Sequence, residues 1–390
     1  MTQKGTTSGA TRRGFLGGSL VASIAAGCAA PATSPLQPSA SRNAPRYGPP
    51  AGVAKLNANE NPFGPSPKAL EAMAAAVQRG AYYVDDSVVW LKAMIAERNG
   101  VAPEQITLSS GSSGVLTYLA LAKTRGGGKI LAPDLYWDTT SRMALGQTGG
   151  SLVRTPRTPD LGIDLDAMEA QAADVDLVHV TNPNNPTGLL LDGDKLRAFC
   201  RRVAPKTTVL IDEAYNELTP DPEYSSAVGL IREGYDVVVA RTFSKIFGLA
   251  GMRVGYAISQ PETAAELRRY GLGDYALNQA GIAAAVASYD DTAFIARARQ
   301  QIEATREQLT AAVRAQGLKP LPSATNFVFV DLEGRNAEAF RASMADEGVL
   351  IRGIYGAYTH HSRVSMGTLE DVGRYIAALP RVLEKLVAPA

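Results

Sequence analysis

A lysine that closes an apolar run is the first feature of this chain that points to chemistry. Thr242-Phe243-Ser244-Lys245 follows Val237 to Ala240, and Gly248, Gly251, Arg253 and Gly255 come soon after it. Charging an amine at a buried strand end is costly, so Lys245 is expected to have a lowered pKa and a nucleophilic free amine. A lysine whose head stays in water is the ordinary alternative for any one position. Three further segments favour the chemical reading. Asp212-Glu213-Ala214-Tyr215 ends one apolar run, Asn182-Pro183-Asn184-Asn185-Pro186-Thr187-Gly188 follows another, and Ser110-Gly111-Ser112-Ser113-Gly114 opens a helix. Singly they read as a cap, a turn and a Gly/Ser loop. Together they supply the carboxylate, amides and anion-binding helix start that a lysine-bound cofactor needs.

The elements that position these groups alternate between strands and helices. Ser66 followed by Pro67 predicts a helix start, Leu70, Met73, Ala74 and Val77 recur at helical spacing, and Gly80 is expected to stop it. Apolar runs at Ile130-Leu131, Val175 to Thr181, Thr208 to Ile211 and Val237 to Ala240 predict strands. The last three recur about 30 residues apart, one strand–helix–strand unit each, which predicts a mostly parallel sheet covered by helices. Asn182, Asp212 and Thr242 then fall at the carboxyl ends of strands, where open α/β sheets bind ligands. Beyond residue 290 or so the pattern changes. A long helix over 293–316 stopped by Gly317, strands over 326–332, 349–352 and 363–366, a helix over 336–347 and a final helix predict a smaller α/β domain.

The 390 residues are 45% hydrophobic, enough for a large core. Thirty-nine basic and 38 acidic side chains leave a formal charge of +1, which argues against a nucleic-acid binder held by phosphate neutralisation. Two cysteines, Cys28 and Cys200, exclude a disulfide scaffold and a multi-cysteine zinc site, and three histidines argue against a His-rich metal centre. The N-terminal 50 residues stand apart from the globule. Arg12-Arg13 precede Phe15-Leu16 and an apolar stretch over 15–26, which as a helix would span only ~18 Å of a bilayer core of ~30 Å. This arrangement resembles a twin-arginine export signal. Ala25-Ala26-Gly27-Cys28 resembles a bacterial lipoprotein box, although Ala25 sits where leucine is more usual. Residues 1–28 therefore read as a signal peptide, with Cys28 either lipidated or a plain cleavage point, and 29–50 as a Pro/Ala/Ser-rich tether. The expected location is outside the cytoplasm, periplasmic or anchored by lipid at Cys28.

From Leu56-Asn57-Ala58-Asn59-Glu60-Asn61-Pro62 to about Leu383 the sequence resembles the fold-type-I pyridoxal-phosphate (PLP) aminotransferases, in their histidinol-phosphate aminotransferase branch. The resemblance implies an α/β architecture: an N-terminal arm and first helix over 51–80, a large PLP-binding domain over 81–285 with a mostly parallel seven-stranded sheet covered by helices, and a smaller C-terminal α/β domain over 286–390. It also implies roles. Lys245 corresponds to the Schiff-base lysine, Asp212 to the carboxylate on the pyridinium nitrogen, and Tyr215 and Asn185 to the hydrogen-bonders of the ring's phenolate oxygen. Ser112, Ser113, Ser244 and Arg253 match the phosphate cup, with Thr242 beside them among the cofactor-binding residues. Tyr83 matches a tyrosine that reaches the neighbouring subunit's phosphate, which implies a homodimer with shared sites. Arg363 matches the arginine that grips the substrate α-carboxylate, next to Asn185, and Asn61 and Asn326 fall in segments lining the substrate side. Trp137, just before the expected helix cap Asp138, is the aromatic that stacks on the cofactor ring, with Tyr136 as the alternative.

The implied reaction is transamination between an amino donor and a 2-oxo acid such as 2-oxoglutarate, with no metal. Decarboxylation, elimination or oxidation on the same scaffold are the alternatives. A non-catalytic PLP- or amino-acid-binding lipoprotein is a further one, against which the set Lys245, Asp212 and Arg363 argues. Leu135, Val84 and Gly114 depart from the family's usual aromatic, proline and acidic residue. His360-His361 read either as substrate contacts or as solvated loop residues. The segment before Asn57 lacks the gate expected for histidinol phosphate, and histidine biosynthesis is cytoplasmic, so an exported enzyme is expected to serve another substrate.

Overall fold

The computed structural model describes residues 48–386. Arg12-Arg13, the apolar stretch over 15–26, the Cys28 box and most of the tether lie outside the described residues. Strand β1 (Ala54–Leu56) opens the described chain. It is followed by β2 (Ile106–Ser109), β3 (Lys129–Pro133), β4 (Ser151–Thr155), β5 (Leu177–Thr181), β6 (Thr208–Asp212), β7 (Val237–Thr242) and β8 (Gly255–Ile258). These last seven form one sheet in the order β2-β8-β7-β6-β5-β3-β4. The five from β7 to β4 run parallel, and β8 is antiparallel to both of its neighbours. Strands β5, β6 and β7 are buried at every position, as expected for strands covered by helices on both faces.

The apolar runs thus mark the centre of the sheet and miss its edges. Strand β4 is half exposed and β8 is short and starts on glycine, so neither stands out as an apolar run. Gly255 has a steric reason. A Cβ there would lie 2.4 Å from the backbone of Gly111 and Ser112, so only glycine lets β8 pass under the start of the helix over Ser112–Thr124. The first helix begins as expected, with the Ser66 hydroxyl accepting from the Ala69 amide at 3.2 Å and Pro67 in its first turn. It ends at Val77 rather than running to Gly80, because Arg79 and Gly80 donate to the carbonyls three residues back and tighten the chain out of the helix.

The C-terminal layer holds β9 (Lys319–Pro320), β10 (Phe327–Asp331), β11 (Val349–Ile351) and β12 (His361–Ser365). Strand β10 lies between β9 and β12, antiparallel to both. Strand β11 pairs in parallel with β1, Ala54 opposite Val349 and Leu56 opposite Ile351. The arm is therefore hydrogen-bonded into the C-terminal layer, and the residues that follow it, Asn57 to Glu60, cross from there towards the ends of the large sheet.

A buried ion pair ties the two strand ends that matter most. The Glu213 carboxylate, fully buried, accepts from Arg241 at 2.8 and 3.0 Å, from the Ser226 hydroxyl at 3.0 Å and from the Ala227 amide at 2.7 Å. Glu213 follows Asp212, and Arg241 precedes Thr242. Successive residues along extended chain point to opposite sides, so this pair clamps β6 to β7 from behind the site. Removing one partner would strand a buried charge, at a cost of about 3–5 kcal/mol.

Candidate active site

Between the carboxyl ends of the large sheet and the C-terminal layer lies a cavity of about 350 Å³. The large sheet contributes Asp212 from the end of β6, Thr242 from β7 and Asn185 from the loop after β5. Ser244, Lys245 and Arg253 come from the loop after β7, and Ser112 and Ser113 from the following helix start. The opposite wall is Asn57 to Glu60, Arg352 and Arg363. Trp137 closes one side.

Lys245 donates from Nζ to the Asn59 carbonyl at 3.1 Å and sits 5.5 Å from the centre of the Tyr215 ring. Burial, and then the Arg363 charge, pull its ammonium down to about 8, against the opposite pull of Asp212 and Glu60. Tyr215 is buried, which pushes its phenol above the usual range. Its oxygen accepts from Asn59 Nδ2 at 2.9 Å and Asn185 Nδ2 at 3.5 Å.

Asp212 is buried and its carboxylate accepts a single backbone bond, from Ala214 at 3.2 Å. Burial pushes its pKa up to about 7, opposed by that amide and by Lys245. From about pH 4 to 7 the folded chain therefore holds a proton that an unfolded chain, with a carboxyl near 3.9, has released. Cofactor-free protein is expected to lose stability across that window as pH rises and to level off above it. Asp212→Asn should flatten this part of the profile. Urea melts of both proteins at about pH 4.5 and 7 measure the difference, and an equal slope in the variant would assign the proton to another group.

The helix over Ser112–Thr124 starts after Gly111 with no side chain capping its first amides, so those donors face the cavity unclaimed. Arg253 stands beside them with a φ of 54°, a left-handed conformation that is strained for a residue with a side chain. It donates to the Ser244 hydroxyl at 3.3 Å, the Ala250 carbonyl at 2.9 Å and the Ser110 carbonyl at 3.3 Å. Two serines, a guanidinium and a free helix N-terminus make a cradle for a phosphate.

Arg363 is 4% exposed and lies in β12. Its guanidinium donates to the Asn185 side-chain oxygen at 2.7 Å and the Asn57 carbonyl at 3.1 Å, both neutral, while Nε has no partner. Burial without an anion pulls its pKa down. A buried cation held only by neutral acceptors is a site made for a carboxylate.

The expected residues do not all reach the cavity. Tyr136 is buried beside it, its hydroxyl bonded to Ser141 at 2.6 Å and its ring edge-on to His179, so Trp137 alone of the two aromatics lines the cavity. Asp138 precedes the next helix as expected but pairs with Arg142 instead of capping it. Asn61 bonds the Ile246 carbonyl at 2.7 Å, and Asn326 the Glu60 carbonyl at 3.1 Å. Both brace the wall from behind and neither lines the cavity. His361 stacks on Phe329 and His360 turns to the Arg335 carbonyl, so neither histidine faces the site. Tyr83 is 81% exposed, away from the cavity of its own chain.

Asn59 is the residue the sequence reading passed over. It adopts a φ of 53°, receives Lys245 on its carbonyl, donates to Tyr215 and accepts from the Ser365 hydroxyl at 2.7 Å. The signal was the asparagine density of Asn57-Ala58-Asn59-Glu60-Asn61, since asparagine tolerates left-handed backbone better than most residues.

The family described as Aminotransferase class I and II matches residues 51–379. The chain belongs to this family. Among relatives of this aminotransferase, histidinol-phosphate aminotransferase 2 of Methylococcus capsulatus is 39% identical over 340 residues, covering 85% of this chain and 90% of that protein. The protein of the same name from Ralstonia nicotianae is 39% identical over 348 residues, covering 87% and 91%. Histidinol-phosphate aminotransferase from Sinorhizobium meliloti, solved in complex with pyridoxal-5'-phosphate, superposes with a TM-score of 0.77 at 31% identity, covering 85% of this chain and 91% of that one. The fold is that of the fold-type-I PLP transferases, and the aminotransferase is a PLP-dependent transaminase that works between amino and keto acids. The donor set fits that cofactor: an amine, an unclaimed buried carboxyl, a bonded phenol and a phosphate cradle surround one cavity.

Proposed function

We propose that this aminotransferase moves an amino group between an L-amino acid, or a histidinol-phosphate-like amine, and a 2-oxo acid such as 2-oxoglutarate, outside the cytoplasm. The observation that carries the reading is Arg363, a buried cation without an anion, in the same cavity as the Lys245 amine. When bound, PLP supplies an electron sink for charge developing at the donor's α-carbon. Ser112, Ser113, Ser244 and Arg253 would hold its phosphate beside Thr242, Asp212 its ring nitrogen, Tyr215 and Asn185 its phenolate oxygen, and Trp137 one face of its ring. Lys245 Nζ, lowered to about 8, is a base of suitable strength to take the α-proton near neutral pH and return it. Arg363 fixes the α-carboxylate, so the bond that breaks is always presented in the same orientation.

Arg352 lines the cavity as a second cation, which supports a donor with a second anionic group, a carboxylate or a phosphate. The relatives' printed name supports the phosphate-bearing choice, and the Arg12-Arg13 signal supports a substrate met outside the cytoplasm. The exposed Tyr82, Tyr83, Val89, Trp90, Leu272 and Tyr275 support a homodimer, with Tyr83 completing the partner's phosphate cradle. A panel of amino donors, assayed for stoichiometric release of the matching oxo acid, tests the reaction. Carbon dioxide or ammonia without transfer to an acceptor would replace transamination by another PLP chemistry.

Export is tested separately. The twin-arginine route carries folded proteins, which suits an enzyme that must enclose a cofactor. Arg12→Lys with Arg13→Lys is expected to leave PLP-loaded enzyme in the cytoplasm, read by fractionation and cofactor absorbance. Equal export of the variant would remove the arginine pair from the account and leave the enzymatic reading intact.

A further inference from the structure

Beside the cofactor cavity lies a second chamber of about 370 Å³ that shares Trp137 and Arg352 with it. One wall is the segment after β3, residues 134–138, and the other is the tight turn Tyr355-Gly356-Ala357-Tyr358, a few residues beyond Arg352. Tyr355 and Tyr358 bridge the turn, the Tyr358 amide donating to the Tyr355 carbonyl at 2.9 Å, and Gly356 supplies the φ of 54° at its tip.

One phenol ties the two walls together. Tyr358 donates to Asp134 Oδ2 at 2.5 Å and accepts from Arg157 Nε at 2.8 Å, with the Arg157 guanidinium 5.3 Å from its ring centre. Asp134 is held in turn by Arg154, which donates to its backbone carbonyl at 2.5 Å. Below, Tyr355 and Tyr358 pack on Leu135, Leu161 and Phe329, a small apolar cluster separate from the main core. Neither the cradle around Ser112 and Arg253 nor the grip of Arg363 uses this bridge. It joins the turn after one substrate-facing cation, Arg352, to the segment that carries Trp137.

We propose that Tyr358 is a positioning residue that sets side-chain specificity by latching the turn after Arg352 onto the Asp134–Asp138 segment. The proposal rests on the reading of Arg352 as the contact for a donor's second anion. With the latch made, the gap between Arg352 and Trp137 is fixed and a distal anion meets a preorganised cation. With it broken, the turn keeps its apolar packing but loses a charge-assisted bond to the large sheet, and the distal grip loosens. The α-carboxylate grip is spared, because Arg363 sits within β12, paired along its length with β10.

The test uses PLP-loaded enzyme and two non-reacting acids, glutarate with two carboxylates and butyrate with one. Calorimetry gives the Kd of each, and glutamate and alanine give the matching KM and kcat. Tyr358→Phe is expected to weaken glutarate about tenfold, the size of one charge-assisted hydrogen bond, and butyrate by less than about twofold. The KM of glutamate should rise in step, with its kcat changing much less. Asp134→Ala cuts the same bond from the other side and should reproduce the selectivity. Equal effects on both acids, or none on glutarate, would overturn the latch. Arg352→Gln separates the two ideas. If it selectively weakens glutarate while Tyr358→Phe does not, the second-anion reading stands and the latch falls. If Arg352→Gln shows no selectivity, both fall.

Discussion

Lys245→Ala is expected to abolish turnover and still yield a protein that binds PLP. The substitution removes the reactive amine and the only base placed on the Tyr215 side of the cavity, so a loss of at least ~10⁴-fold follows from the usual worth of a positioned proton carrier and nucleophile. Cofactor affinity should survive, because the helix N-terminus, Arg253 and Asp212 act on it without a covalent link. Equilibrium dialysis of PLP against the variant, beside stopped-flow absorbance with an amino donor, separates the two effects. Half-reactions near the wild-type rate would place the reactive amine elsewhere.

Arg363→Ala is expected to lower kcat/KM for every α-amino acid together, by on the order of 10² or more, while PLP binding stays as it was. The protein itself should tolerate the change. The guanidinium is a buried cation that neutral acceptors compensate only in part, so its loss removes a desolvation burden along with its two hydrogen bonds. Steady-state kinetics with donors of different side chain, compared with the thermal midpoint, checks both halves. An unchanged amino-acid KM would move the α-carboxylate to Arg352.

The centre of the fold was legible because its physics is local. Strands β5, β6 and β7 are buried on both faces and so appear as unbroken apolar runs, and the polar groups at their ends follow directly. The edge strands were not, since β4 is half exposed and β8 depends on Gly255 fitting against Gly111. The same division runs through the site. Lys245, Asp212 and Ser112 announce themselves beside their own strand or helix. Asn59 acts through Ser365, Tyr215 and Lys245, partners that only the folded chain brings near, and Tyr136 and Trp137 differ by a rotation about one segment that composition does not encode.

The cavity wall has a consequence for how the enzyme comes into being during synthesis. Asn59 and Ser365 are hydrogen-bonded across 306 positions of sequence, as are Asn57 and Arg363, and β1 finds its partner only in β11. The groups suited to a cofactor, from Ser112 to Arg253, emerge from the ribosome together and can dock within the large sheet. The substrate-gripping half cannot form until Arg363 has also been made. Assembly is therefore ordered in time, with the cofactor cradle first and the substrate grip last, and pairings of such length fold slowly. A nascent chain stalled after β8 would be a PLP binder that cannot yet hold an amino acid.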